Sequence, residues 1–173
     1  VAVWDEALDA DAVTALYNSG TPLDATADSG NYDNSDDLQG YWRNDGDTTW
    51  TDRSTNSNNG TVAGTPDSIV LTEGLTSGRD SQGFYLTDTT ENCLTLNGAE
   101  YVDIPDSEAL EFGTGVFTVE FWIKTIDIAE SAVLMKGALG GGGKRYVAWI
   151  NASAGKIRFG IDDDSTNVSF DSA

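Results

Sequence analysis

Aspartates are the side chains in this sequence whose type and spacing could do chemistry. Asp162, Asp163 and Asp164 stand together with Asn167 close behind. Asp45, Asp47 and Asp52 form a second group. Carboxylate and amide oxygens crowded in this way are what a hard cation such as Ca2+ takes as ligands. Neither group follows the D-x-[DN]-x-[DN]-G calcium loop with its distant Glu. A solvated acidic turn is therefore the competing expectation for both.

Other chemistry is excluded by residue type. The chain has no histidine, which removes the usual general base, the imidazole metal ligand and the His-based triads. Its one cysteine, Cys93, forms no internal disulfide and reads as a small apolar residue at the start of a strand. The four-glycine run at 140–143 lacks the spacing and the Ser/Thr of a phosphate-binding loop and reads as a flexible hairpin loop. Met135 reads as core filler. No enzymatic activity is expected.

The formal net charge is −20, from nine basic and 29 acidic side chains. Such a field repels phosphate backbones and anionic lipid, so neither nucleic acid nor a membrane surface is expected as a partner. It suits a high-salt or calcium-rich setting, or serves solubility alone. No apolar run is long enough to span a membrane. The opening VAVWDEALDA does not have the make-up of a signal peptide. Sequons stand at Asn59, Asn151 and Asn167, in a chain whose Asn, Ser and Thr content produces them by chance.

The elements that must position these residues are mostly short strands. Nineteen glycines, with many Asn, Asp, Ser and Thr residues, point to strands joined by tight turns. Phe117 to Lys124 alternates cleanly, with Phe117, Val119, Phe121 and Ile123 on one side. Leu94 and Leu96 precede a turn signal at Asn97 and Gly98, and Tyr101, Val102 and Ile104 follow it. Residues 132–136, 145–150 and 156–161 read as strands, the last two as a hairpin, and Asn167 to Phe170 starts another. Residues 69–71 and 84–86 are weaker candidates. One short helix is predicted near the front: Asp9 caps it, Val13, Leu16 and Tyr17 share a face, and Gly20 stops it.

Three phrases resemble the laminin-G-like, concanavalin-A-like jelly-roll family. Residues 100–124 follow the form DYVxIPxSxxLxFGTGxFTxxFWxK. Val3 to Gly20 is similar to the family's closing phrase, xxWxxALSxxEIxxLYNxG, and Leu38 to Thr61 to its opening phrase, LxGYWRxxDG…DxSxNxNxGT. The resemblance implies an all-β, antiparallel two-sheet jelly-roll sandwich with one short N-terminal helix. It divides the chain into the closing strand and helix of a preceding module (1–19), a linker (20–37) and a jelly roll (38–173) that still lacks its last strands. A second organisation has the front strand and helix completing the sheet begun at Leu38, within one chain or between neighbouring subunits.

Relatives of this fold often carry Ca2+, and they bind glycans through exposed aromatic rings that pack on the apolar face of a sugar. Trp122, Tyr146 and Trp149 are the candidates here. The family's glycosidases set their carboxylates as Glu-x-Asp-x-x-Glu, a spacing this sequence lacks. The expected function is adhesion or carbohydrate binding by an extracellular, cell-surface or virion module. Its partners would be surface glycans or neighbouring protein subunits, in a homo-oligomer or a larger assembly. The alternative is a purely structural subunit without a sugar ligand, and a glycan-active enzyme comes third.

Overall fold

The computed structural model describes residues 1–44, 49–70, 78–79, 85–86, 92–96, 99–123, 129–137, 145–151, 155–162 and 166–172. Among the described residues the chain forms antiparallel strands and one α-helix, and it divides into two compact units, Val1–Phe121 and Trp122–Ala173.

In the first unit, β1 (Ala2–Trp4) leads to α1 (Ala10–Tyr17), followed by β2 (Leu38–Tyr41), β3 (Thr49–Trp50), β4 (Gly60–Ala63) and β5 (Asp67–Val70). Then come β6 (Gly78–Arg79), β7 (Tyr85–Leu86), β8 (Asn92–Thr95), β9 (Tyr101–Asp103) and β10 (Thr118–Glu120). The organising feature is β1, which lies between β2 and β10. Ala2 stands opposite Glu120 on one side and Tyr41 on the other.

All three residues of β1 are buried, which is why the strand is apolar without alternation. Ala2 and Trp4 join a cluster with Ala12, Leu16, Ala25, Tyr32, Leu38 and Tyr41. Val3 faces the other way, into a cluster with Trp42 and Leu110. Trp4 is fixed by more than burial: its Nε1 donates to Tyr32 Oη (3.0 Å), which donates in turn to the Ala25 carbonyl (2.8 Å). Tyr32 and Ala25 thus tie the polar stretch 20–37 into the core.

The helix forms where the sequence predicts it. Asp9 Oδ1 accepts from Ala12 N (2.8 Å), and Asn18 closes the helix in the left-handed conformation (φ 42°). Its buried face differs from the expected one. Ala12 and Leu16 are buried, whereas Val13 and Tyr17 are exposed. Ala12 and Leu16 join Ala2, Trp4, Leu38 and Tyr41 in that cluster.

The strands expected between Leu94 and Lys124 are shorter than the sequence predicts and pair with separate partners. The strand expected over 117–124 is confined to Thr118–Glu120, because its partner β1 is only three residues long. Val119 packs against the Trp42 cluster, while Trp122 and Ile123 lie beyond the strand and are exposed. The turn at Asn97 and Gly98 lies outside the described residues. The strands flanking it pair with different partners, β8 with β5 and β9 with β4, rather than with each other.

The second unit is a four-stranded antiparallel meander: β11 (Ser131–Lys136), β12 (Arg145–Asn151), β13 (Lys156–Asp162) and β14 (Asn167–Asp171), in that order. All four strands match the sequence reading to within a residue or so. Met135, expected as core filler, is exposed. The glycine run at 140–143 lies outside the described residues, as do the side-chain surroundings of Cys93.

Candidate functional site

Two of the predicted aromatics lie on opposite faces of one strand. Side chains alternate along β12, so Tyr146 shares a face with Ala148 and Ile150, and Trp149 shares the other with Val147 and Asn151. The Tyr146 face is apolar. Opposite it on β13 stand Ile157, Phe159 and Ile161, and then Phe170 and Val168 on β14. Tyr146 is only 8% exposed, so it is a packing residue. Trp122 is 44% exposed and lies outside any strand.

Trp149 lies at the centre of the polar face. It stands opposite Arg158 and leans over Gly160, where an added Cβ would come within 3.0 and 3.2 Å of two ring carbons. Glycine at 160 leaves room for the outer edge of the indole. The Arg158 guanidinium sits 6.0 Å from the ring centroid. The same guanidinium grips Asp171 with two hydrogen bonds, Nε to Oδ1 (2.6 Å) and Nη2 to Oδ2 (3.0 Å). Asn151 Nδ2 reaches both carboxylate oxygens of Asp171 at 3.4 Å. The Arg158 contact holds the Asp171 carboxyl down at about 2, with Asn151 and Lys156 adding to the effect. Asp171 in turn raises the Arg158 pKa.

Asp162 and Asn167 stand opposite each other on β13 and β14, on this same polar face. Asp163 and Asp164, which complete the predicted cluster, lie outside the described residues. So do Asp45 and Asp47.

Asp52 has a different use. It is 6% exposed, and its carboxylate accepts from Tyr41 N, Ser54 N, Ser54 Oγ and Asn58 N, all at 2.8–2.9 Å. These donors hold the loop 52–59 against β2. The register of β1 on β2 shifts between Val3 and Trp4, so Gln39 has no residue opposite it on β1. Its carbonyl instead accepts from Ser54 Oγ, Asn56 Nδ2 and Asn58 Nδ2. Trp42 Nε1 closes the loop by donating to the Asn58 carbonyl (2.8 Å). The spaced polar residues of DRSTNSNNG thus fill a β-bulge, a structural role. Among the described residues, no group of three or more His, Cys, Asp or Glu side chains is placed to hold a metal ion.

The first unit carries a groove that the sequence did not suggest. Asp5, Gln39, Glu108, Glu111, Phe112 and Val116 line a groove of about 470 Å³. Phe112 stacks on Phe117, with centroids 4.8 Å apart and planes at 9°. The groove is assembled from three separate stretches of chain, so no local spacing announces it. Asn151, Arg158 and Asp171 were missed for a similar reason: strand register brings them together.

Compared with known proteins, the chain matches no protein-family model, no curated protein and no solved structure. Among the described residues, no helix is long and apolar enough to cross a membrane.

Proposed function

We propose that this chain is a non-enzymatic carbohydrate-binding or adhesion module of an extracellular surface or virion-appendage protein. It would be built as a laminin-G-like two-sheet jelly roll and would meet sugar on the polar face of β12–β14. The observation that carries this reading is Trp149, lying on Gly160 and bordered by Asn151, Arg158 and Asp171. A partly exposed indole offers an apolar surface for the C–H face of a pyranose ring. The neighbouring amide, guanidinium and carboxylate supply donors and acceptors for hydroxyls, and their contacts with one another fix them in advance. Calcium at Asp162 and Asn167, on the same face, would add a further oxygen-seeking group.

The test is a glycan array run with Ca2+ and with chelator, followed by titration of any hit against Trp149→Ala. Binding should fall at least tenfold in a variant that keeps a cooperative melt. Unchanged binding by that variant, or no hit on the array, would remove the reading. A purely structural subunit is the second reading, and the exposed apolar residues of β14 favour it. Release of reducing sugar from a bound glycan would instead point to the third possibility, a glycan-active enzyme.

A further inference from the structure

The front of the chain is charged one way. Residues 1–42 hold nine acidic side chains and no basic one, and the first arginine is Arg43. Asp24, Asp28, Asp33, Asp36 and Asp37 fall in the stretch 20–37, which runs from the helix to β2. Asp5, Glu6, Asp9 and Asp11 lie between β1 and the first turn of α1. Residues 122–173 are balanced instead, with six acidic and six basic side chains.

The stretch 20–37 is held thinly for its length. Among the described residues it joins no sheet, and its own ladder is one bridge, Ser29 to Tyr32. Leu23, Ala25 and Tyr32 anchor it in the Trp4 cluster. Its polar ties to the rest of the unit include Tyr32 Oη with Trp4 Nε1, Asp5 N with the Asp37 carbonyl (3.1 Å) and Tyr41 Oη with the Leu23 carbonyl (3.4 Å). The Asp24–Arg43 pair (3.6 Å) is exposed on both sides and contributes little. Tyr32 stands within the negative field. Burial pushes its hydroxyl up to about 12, and the charges of Asp28, Asp37 and Glu120 add to the rise.

We propose that residues 20–37 are a salt-operated strap, latched by Tyr32, that closes over β1 at physiological ionic strength and releases in dilute solution. The apolar anchors and the Tyr32 hydroxyl favour closure at any salt. Closure also brings Asp28 and Asp37 toward Glu120 and the Asp5 end of β1. Arg43 and Arg53 act against that repulsion at Asp24, one end of the strap. At about 0.01 M salt the Debye length is about 30 Å, so all of these carboxylates repel one another; at about 0.15 M it is about 8 Å, and only near neighbours do. β1 and β2 keep their ladder, so the strap is the part of the unit that repulsion can lift. Its release bares Trp4, which is fully buried when the strap is closed. This inference concerns the first unit alone and stands whether or not β12–β14 binds sugar.

The experiment is hydrogen exchange of the whole chain, read by mass spectrometry, at low and at physiological NaCl. Peptides covering 20–37 should exchange about tenfold faster at the lower salt, while those of β12 and β13 keep one rate. Asp28→Asn, Asp33→Asn and Asp36→Asn together should abolish the difference. The same number of neutralisations elsewhere, Asp103→Asn, Asp106→Asn and Glu130→Gln, should leave it in place. All six side chains are exposed, so both variants keep the fold. Tyr32→Phe, which keeps the ring and removes the latch hydroxyl, should move release to higher salt. Tetramethylammonium chloride should close the strap as NaCl does, because screening needs no bound ion. Protection of 20–37 that ignores salt would overturn the proposal. So would a salt effect that trace Ca2+ alone reproduces, that the second unit shares, or that the strap variant retains.

Discussion

Asp52 shows what a single carboxylate does when buried and fully used. Three backbone N–H groups and a hydroxyl converge on it, so a substitution strands donors that water cannot reach. Asp52→Ala should cost about 3 kcal/mol in urea unfolding, well above the effect of a solvated turn aspartate such as Asp33. Asp171 is the opposite case, exposed but gripped. Its folded pKa, about 2, lies below the ordinary 3.8. The stabilisation from its pairing is therefore fully present above the ordinary value and is lost as pH falls through about 2. Carboxyl-detected NMR titration should show this low midpoint, and Arg158→Gln should return it toward the ordinary value. The sequence offered Asp52 as a metal ligand because local spacing cannot distinguish a carboxylate aimed at solvent from one aimed at its own backbone.

At the scale of elements, legibility followed how local the deciding interaction is. The strands of the second unit pair with sequence neighbours, so period-two alternation located them. The helix was found by its Asp9 cap, also a local feature. Its buried face was missed because hydrophobicity alone favours Val13 and Tyr17 over Ala12. The surface it packs on, assembled from β1, β2 and Tyr32, decides otherwise. Leu16→Ala should therefore cost about 2–5 kcal/mol, as core truncations do, while Val13→Ala should stay within about 0.5 kcal/mol. Chemical denaturation of the two variants checks this. The expected strand over 117–124 was cut short because its length is set by a partner more than a hundred residues away. Of the residues grouped on the polar face, Trp149, Asp162 and Asn167 were named from the sequence as candidates. Asn151, Arg158 and Asp171 needed the register of three strands.

For the molecule as a whole, charge is the dominant fact. A surplus of 20 negative charges on 173 residues repels itself in the folded state. At about 0.15 M salt the Debye length is about 8 Å, short enough to screen most of that repulsion. The melting temperature should rise as salt is raised from low millimolar to physiological strength. A flat or falling curve would mean that attractive pairs such as Arg158–Asp171 outweigh the net field.

The place of β1 also has a consequence in time. Its two ladders close on residues near 40 and near 119. During synthesis, at about 5–20 residues per second, the first ladder can form early, but the second waits on the order of ten seconds for its partner. Until then the β10 side of β1 has no partner for its backbone N–H and C=O groups. The closing contact is also among the longest-range in the chain, the kind that slows folding. The nascent chain therefore spends that interval with a strand that is fully buried in the folded protein paired on one side only, when a chaperone or a neighbouring nascent chain has its best opportunity to bind.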